Sequence, residues 1–149
     1  MRSISLRECG EWLSGGTPSK SNKEYWGGSI PWISGKSLHD FYLHDSEDKV
    51  TPSGVENGTT KVDTGTVLLL VRGMSLTQEL RVGIARRPLT FNQDVKAIRP
   101  DDKVNGLYLA NAIRALEPQI LALVDEASHG TGRLQTSTLG SFEIPLPPL

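Results

Sequence analysis

Apolar runs in the first two thirds of the chain predict several short strands. Residues 66–71 are apolar on both faces, which predicts a central strand. Residues 81–85 predict the next strand, paired with the first across a short loop, and residues 94–98 alternate as a half-buried strand does. Residues 29–33 predict a shorter strand, in which Pro31 indicates a sheet edge or a strand start.

After residue 102 the apolar positions change to a helical period. They recur every three or four residues, at Leu109, Ile113, Leu116, Ile120, Leu123 and Ala127. Because Pro118 interrupts this face, we expect two short helices or one kinked helix. Residues 51–57 predict another short helix, with Thr51 as N-cap and Pro52 in the first turn.

Turn signals separate these elements. Gly-Gly-Thr-Pro at residues 15–18 is the strongest early turn, and Arg72-Gly73 is expected to end the central strand. Further loops are predicted at residues 35–37, 61–65 and 128–136, and a final extended segment at residues 142–148. The pattern predicts one α+β domain spanning residues 1–149, with a small mixed or antiparallel sheet and a late helical pair.

The composition is that of one ordinary domain of 149 residues, 37% hydrophobic and 22% charged. The single cysteine, Cys9, excludes an internal disulfide framework and is expected to be a small buried hydrophobe. No apolar run approaches the roughly 20 residues that cross a bilayer. No apolar signal segment follows Met1, so we expect a cytoplasmic protein without membrane contact.

Charge is distributed unevenly along a nearly neutral chain. The formal net charge is -1, but residues 1–39 and 67–99 carry +2 and +4, whereas residues 40–66 and 100–149 carry -4 and -3. Two basic stretches can form one positive face, because a polyanion responds to the local field. Ordinary scatter of surface charge remains the alternative.

The residues of an active site are missing from the pattern. There are three histidines, no G-x-S-x-G nucleophile elbow and no Gly-Lys-Ser/Thr phosphate loop, so we expect neither catalysis nor a cofactor. His39, Asp40, His44 and Asp45 are the one run that resembles metal ligands, and it is more typical of a solvated loop. Hydrogen-bond donors instead crowd three loops, which suits base edges and phosphate oxygens but also plain hydration.

Seven sequence blocks, taken in order, resemble the target recognition domain of the DNA specificity subunit of type I restriction-modification enzymes. They are Gly15-Gly16-Thr17-Pro18-Ser19; Tyr25-Trp26 and Gly28 before Ile30-Pro31-Trp32-Ile33; Val50-Thr51 with Gly54-Val55; Gly65-Thr66-Val67-Leu68-Leu69 with Arg72-Gly73; Phe91-Asn92-Gln93-Asp94-Val95; His129-Gly130-Thr131; and Ile144-Pro145-Leu146-Pro147-Pro148-Leu149.

The resemblance implies a domain that recognises one half of a split sequence in double-stranded DNA. It also implies partners, a methyltransferase (modification) subunit and a restriction subunit, which carry out the catalysis. The family usually has two such domains joined by long helices, whereas this chain has one and stops where the first spacer helix would begin. We therefore expect an excised domain rather than a natural single-domain protein.

The resemblance implies that the blocks are scaffold and that specificity lies between them. The positions predicted to contact bases are Lys36, Ser37, His39, Met74, Ser75, Gln78 and Arg81. The positions predicted to contact phosphates are Thr17, Ser19, Lys20, Arg72, His129, Thr131 and Arg133.

Other roles remain open. Asn92 and Gln93 suit adenine, but we expect them to cap the core by hydrogen bonding. Trp12, Trp26 and Trp32 are expected to pack in the scaffold rather than stack on an extruded base. The alternative function is a protein-interaction module that associates with a methyltransferase subunit without recognising DNA, through the acidic residues 40–48 and the helical residues 107–127.

Overall fold

The computed structural model describes residues 2–147 and leaves out Met1 and the end of the last sequence block, Pro148 and Leu149. Fourteen strands lie in the described range: Arg2–Ser5 (β1), Gly10–Ser14 (β2), Trp26–Ile33 (β3), Tyr42–Leu43 (β4), Lys49–Val50 (β5), Thr60–Val62 (β6), Val67–Leu70 (β7), Arg72–Gly73 (β8), Val82–Ala85 (β9), Leu89–Phe91 (β10), Val95–Pro100 (β11), Asp125–Ser128 (β12), Thr131–Arg133 (β13) and Glu143–Leu146 (β14). The α-helices of the same range are Pro52–Glu56 (α1), Gly106–Ala115 (α2), Glu117–Leu121 (α3) and Thr136–Ser141 (α4).

The central strand predicted at residues 66–71 is confirmed as β7. It lies in the middle of a five-stranded sheet of order β2-β11-β7-β9-β4, in which Leu68 pairs with Ala97 on one side and Gly83 on the other. Every residue of β7 is at most 2% exposed. Both faces are buried because each is covered by another layer, as the unbroken apolar run requires.

Two hydrophobic clusters account for those layers. Val67 and Leu69 belong to a cluster that includes Leu109 and Ile113 of α2, which covers one face of the sheet. Leu68 and Leu70 belong to the other cluster, which also contains Ile33 of β3 and Phe91 of β10. Those two strands are part of a four-stranded sheet of order β5-β3-β10-β6, so the domain is a helical layer, a central sheet and a second sheet.

The α+β class and the late helical pair are confirmed. Pro118 lies in the first turn of α3, where its missing N–H costs nothing, so the periodic face divides into α2 and α3. The short helix predicted at residues 51–57 is confirmed as α1, with Thr51 as its N-cap and Asn57 as its C-cap. The Thr51 hydroxyl accepts a 3.1 Å hydrogen bond from the Gly54 N–H. Ala127 is not helical, because it lies in β12.

Three turn predictions need correction, because short polar strands pair with distant partners. Residues 61 and 62 of the predicted turn at 61–65 lie in β6 (Thr60–Val62), which pairs with β10. Arg72 and Gly73 do not merely end β7; they form β8, which pairs with β13 in a three-stranded sheet of order β12-β13-β8. The predicted loop at residues 128–136 therefore holds β13, and α4 begins at its end.

The two ends of the described chain meet in a separate ribbon. β1 pairs antiparallel with β14, as Ile4 opposite Ile144 shows, so the extended segment predicted at residues 142–148 is confirmed over residues 143–146. Beside this ribbon lies a pocket of about 460 Å³ lined by Arg2, Ser3, Ile4, Glu8, Asp102, Lys103, Leu146 and Pro147, which we call the terminal pocket. Cys9, which follows the pocket residue Glu8 in the sequence, is completely buried. Its burial, and to a lesser extent the charge of Asp101, raises the pKa of its thiol to about 11.

None of the helices within residues 2–147 combines the length and the hydropathy needed to cross a membrane.

Candidate functional site

Three strands, β3, β7 and β10, end close together, and the loops that follow them lie side by side. β3 and β10 are parallel and end at Ile33 and Phe91, which are opposite each other. The Asn92 N–H donates to the Ile33 carbonyl over 2.9 Å, and the Val71 N–H donates to the Asp94 carbonyl over the same distance. The segments 34–38, 71–75 and 92–94 therefore start within one hydrogen bond of each other; we call the surface they form the loop edge.

The Gly-Gly-Thr-Pro segment joins this edge from β2. The Gly16 N–H donates to the Phe91 carbonyl over 3.0 Å, and the Thr17 hydroxyl donates to Gln93 Oε1 over 2.6 Å. Gly15 lies so close to β10 that a Cβ there would be 2.3 Å from the Phe91 carbonyl oxygen. The sequence needs a glycine at residue 15 because the two backbones touch.

Lys20 ends this segment above two indole rings. Its Nζ lies 4.6 Å from the ring centroid of Trp26 and 4.7 Å from that of Trp32, at cation–π distance from both. The two rings are themselves edge to face, with centroids 5.0 Å apart. The indole N–H groups of Trp12, Trp26 and Trp32 all donate to backbone carbonyls, which fits the scaffold role expected for them.

The loop after β3 has one exposed cation on a fixed backbone. Ser37 is 7% exposed, and its hydroxyl accepts from the Ser34 N–H over 2.8 Å. Arg81 Nη1 donates to the Gly35 carbonyl over 2.6 Å while its Nε donates to Glu79. Ser37 and Arg81 thus hold the loop from within, and Lys36 is the side chain it presents to solvent.

Lys36 is paired with a carboxylate. Its Nζ lies 3.0 Å from Glu47 Oε2, and both side chains are 67% exposed. The hydrogen bond to Glu47 and the charge of that carboxylate raise the pKa of the Lys36 ammonium, so it is charged at neutral pH. The pair is open to solvent, where such pairs contribute little energy, and a stronger anion can displace Glu47.

The three-stranded sheet supplies the remaining candidates. Gly132 of β13 is opposite Gly73 of β8, and Arg133 is opposite Arg72. His129 and Gly130 join β12 to β13 with φ values of 44° and 82°, as a two-residue hairpin turn of type I′ requires. Arg72 is exposed, and Met74 at the neighbouring turn is 73% exposed, high for a large apolar side chain.

A chain of contacts brings most of the predicted site residues together. Gly35 and Gly73 both lie against the Leu70 side chain, at 3.0 Å and 3.4 Å as measured from a Cβ built on each. The same edge is therefore bordered by Lys36, which follows Gly35, and by Arg81, which donates to the Gly35 carbonyl. Arg72 and Arg133, which are opposite each other beside Gly73, border it as well.

Three of the predicted residues lie at the margins. His39 is exposed, with its Nδ1 3.5 Å from Asp40 Oδ1. Gln78 ends the turn after β8, and His129 lies at the hairpin tip. Within residues 2–147, none of the three hydrogen-bonds through its side chain to another predicted site residue.

Asp125 at this surface was not predicted from the sequence, and Gln135, one of the donors in the loop after the helices, was not among the positions predicted to contact DNA. Asp125 accepts hydrogen bonds from Arg133 Nε over 3.1 Å and from Gln135 Nε2 over 2.8 Å. The sequence signal for this hairpin was Gly130, because a two-residue turn of type I′ needs positive φ and glycine adopts it without strain.

The described residues offer no alternative centre on the loop edge. No three His, Cys, Asp or Glu side chains within 2–147 converge as the ligands of a metal ion would. The terminal pocket is lined by none of the predicted site residues. The loop edge presents hydrogen-bond donors and the exposed cations Lys36 and Arg72 on a backbone fixed by hydrogen bonds.

Comparison with known proteins gives a consistent result. A family model described as the type I restriction modification DNA specificity domain matches residues 1–149. The EcoR124I/EcoR124II type I restriction enzyme specificity subunit of Escherichia coli is 34% identical over 144 residues, covering 95% of this chain and 36% of the relative. The MjaIX type I restriction enzyme specificity subunit of Methanocaldococcus jannaschii is 34% identical over 148 residues, covering 95% and 33%.

Solved structures share the fold. A crystal structure of the HsdS subunit from Thermoanaerobacter tengcongensis superposes with a TM-score of 0.69 at 24% identity, over 99% of this chain and 33% of that one. A structure from work on complex assembly and conformational transition of the type I R-M system gives a TM-score of 0.71 at 21% identity, over 99% and 34%. The chain thus spans about a third of the length of the proteins it matches.

Proposed function

This chain belongs to the type I restriction-modification DNA specificity domain family, and from that premise we propose that it binds double-stranded DNA and recognises one half of a bipartite target. In this role the domain has no catalysis of its own. A methyltransferase subunit and a restriction subunit, bound through other parts of the complete specificity protein, act on the DNA that the domain selects.

The observation that carries the proposal is the convergence of the loops at the loop edge. Segments from β2, β3, β7 and β10 meet there, and their backbones are fixed by hydrogen bonds before any ligand arrives. Specific recognition of a duplex needs donors held in a fixed frame, because bases differ only in the position of donors and acceptors along the groove.

The cations of this edge suit two different tasks. Lys20 and Arg72 form no ion pair with another residue of the described range, so they are free to neutralise phosphates. Lys36 and Met74 project from the loops beside them and can reach base edges, the lysine to guanine acceptors and the methionine to a thymine methyl group.

A randomised-duplex selection with the 149-residue chain at low salt tests the proposal, repeated with the methyltransferase subunit present. We expect enrichment of one short sequence, with weak affinity for the chain alone. A single domain lacks the gain in effective concentration that two linked domains share. Recovery of no preferred sequence in either arm, with capture of the methyltransferase subunit, would replace this function by that of a protein-interaction module.

Replacing Lys36 by alanine is expected to cost about 1–3 kcal/mol of binding free energy on the preferred duplex and to relax the choice at one base. Arg81→Ala should relax the same base, because Arg81 binds the Gly35 carbonyl and so holds Lys36 in place. The measurement is a double-mutant cycle on preferred and scrambled duplexes.

In this cycle the double variant should lose little more than the worse single variant, since both act on one loop. Lys103→Ala, which removes a lysine from the terminal pocket, serves as the control and should leave the base preference unchanged. Strict additivity of the Lys36 and Arg81 effects, or equal losses on both duplexes, would refute the assignment of this loop to base contacts.

A further inference from the structure

A row of three charged residues crosses the three-stranded sheet on one face. Asp125 of β12 is opposite Arg133 of β13, and Arg133 is opposite Arg72 of β8. Residues directly opposite each other project from the same face of a sheet, so the three side chains are neighbours. We call this set the hairpin row.

The hairpin row points away from the protein. On the other face, a Cβ at Gly132 would lie 3.0 Å from Val124 Cγ1 and 3.2 Å from Leu76 Cβ, so that face is packed against the domain. On the outer face, the Arg133 and Asp125 side chains are 41% and 44% exposed. The β12–β13 hairpin therefore presents the hairpin row to solvent, next to β8, which belongs to segment 71–75 of the loop edge.

Asp125 holds two side chains at once. Its Oδ1 accepts from Arg133 Nε over 3.1 Å, and its Oδ2 accepts from Arg133 Nη2 over 3.4 Å and from Gln135 Nε2 over 2.8 Å. These hydrogen bonds, from Arg133 first and Gln135 second, lower the pKa of Asp125, so the carboxylate is ionised at neutral pH.

The backbones of the two donors are fixed as well. Arg133 lies in the ladder of β13, and the Leu134 N–H donates to the Val71 carbonyl over 2.8 Å. Gln135 is the N-cap residue of α4, with its carbonyl accepting from the Leu139 N–H. The backbones of Arg133 and Gln135 and the terminal groups of their side chains are thus held in place before a ligand binds.

The contacts leave the recognition groups free. Asp125 occupies the Nε side of the guanidinium, so Nη1 and the second hydrogen of Nη2 remain, and these form a two-donor fork that matches guanine O6 and N7. Gln135 keeps Oε1 and one Nε2 hydrogen, the acceptor and donor that match adenine N6 and N7. The major groove of B-DNA is wide enough to admit a two-stranded ribbon.

We propose that Asp125 is a positioning residue that sets Arg133 and Gln135 side by side as a base-reading pair, with Arg133 on a guanine and Gln135 on an adjacent adenine. The inference rests on the proposed function. It reassigns Arg133, which the family resemblance predicts to contact a phosphate, and it gives Gln135 and Asp125 a role in specificity. Arg72, opposite Arg133 and without an ion-pair partner among residues 2–147, remains for the backbone phosphate.

Three variants test the proposal: Asp125→Asn, Arg133→Lys and Gln135→Ala, each measured by randomised-duplex selection and by titration of the selected and a scrambled duplex. Arg133→Lys keeps the charge and loses the fork, so it should relax one base position and lower the selected-to-scrambled affinity ratio by about five- to 150-fold. Its salt dependence should be unchanged, because no phosphate contact is lost.

Asp125→Asn has a distinct expected signature. It should relax the base preference at two adjacent positions of the duplex, namely the position relaxed by Arg133→Lys and the position relaxed by Gln135→Ala. Affinity for the scrambled duplex should hold or rise, because a negative charge is removed beside DNA. Asp102→Asn removes the same charge from the terminal pocket and should leave the base preference intact.

The outcomes separate this inference from the proposed function. If the unaltered chain selects a sequence and Arg133→Lys keeps that preference in full, Arg133 does not recognise a base and the inference is wrong. The inference is also wrong if Asp125→Asn changes the affinity for the selected and the scrambled duplex equally while its thermal unfolding matches that of the unaltered chain. If the unaltered chain selects no sequence, the proposed function itself fails.

Discussion

Replacing Phe91 by alanine is expected to lower the free energy of unfolding by about 3–5 kcal/mol. Phe91 is 0% exposed and is the largest fully buried side chain in residues 2–147. It belongs to the cluster that joins the central sheet to the four-stranded sheet, together with Leu68 and Ile33. Truncation removes apolar area from both sheets and leaves a cavity that close-packed strands cannot collapse.

Thermal or urea unfolding of the two proteins measures this loss. Tyr42→Ala is the matched control, because Tyr42 is also an aromatic residue in a strand but is 46% exposed. Its ring contacts Phe41 and Arg86 at the surface. Its loss should cost about 1 kcal/mol or less. Similar losses for the two variants would show that Phe91 does not connect the sheets as described.

The elements that the sequence predicts well are those whose local pattern and tertiary environment agree. The run Val67–Leu70 is apolar throughout, and it forms a strand whose two faces lie in different hydrophobic clusters. Thr51 followed by Pro52 carries a complete helix start within a few residues, and α1 begins there. Pro118 divides the late helical face for a reason that needs no tertiary information.

The elements that the sequence predicts poorly depend on partners far away in the chain. β8 has two residues, Arg72 and Gly73, and exists only because β13 pairs with it from sixty residues downstream. Ala127 fits a helical period by coincidence, and the pairing of β12 with β13 overrides that weak signal. Local propensity cannot specify such strands, since pairing and packing decide them.

The same limit applies to the candidate site. Motif order identifies the segments that form the loop edge, but not which side chains are already engaged. Ser37 is buried and its hydroxyl accepts from the Ser34 N–H, and Arg81 donates to the Gly35 carbonyl. Two residues that resemble free donors in the sequence are therefore part of the framework. Asp125 becomes visible as a site residue only when the register places it opposite Arg133.

A double variant, Lys20→Ala with Arg72→Ala, is expected to weaken DNA binding by about 50-fold at ~0.1 M salt, equally on selected and scrambled duplexes. These are the cations of the loop edge without an ion pair within residues 2–147, so their charges are available to phosphates. Each phosphate contact releases about 0.9 of a counterion, so two lost contacts should reduce the slope of log K against log salt by about 1.8.

Binding titrations between low and moderate salt measure both quantities. Arg2→Ala with Lys103→Ala removes one arginine and one lysine from the terminal pocket and holds the net charge equal to that of the first double variant. If phosphates lie against the loop edge, this control should keep nearly the full salt slope. Equal slopes for the two double variants would mean that DNA responds to total charge alone, and the loop edge would then not be the surface that the duplex contacts.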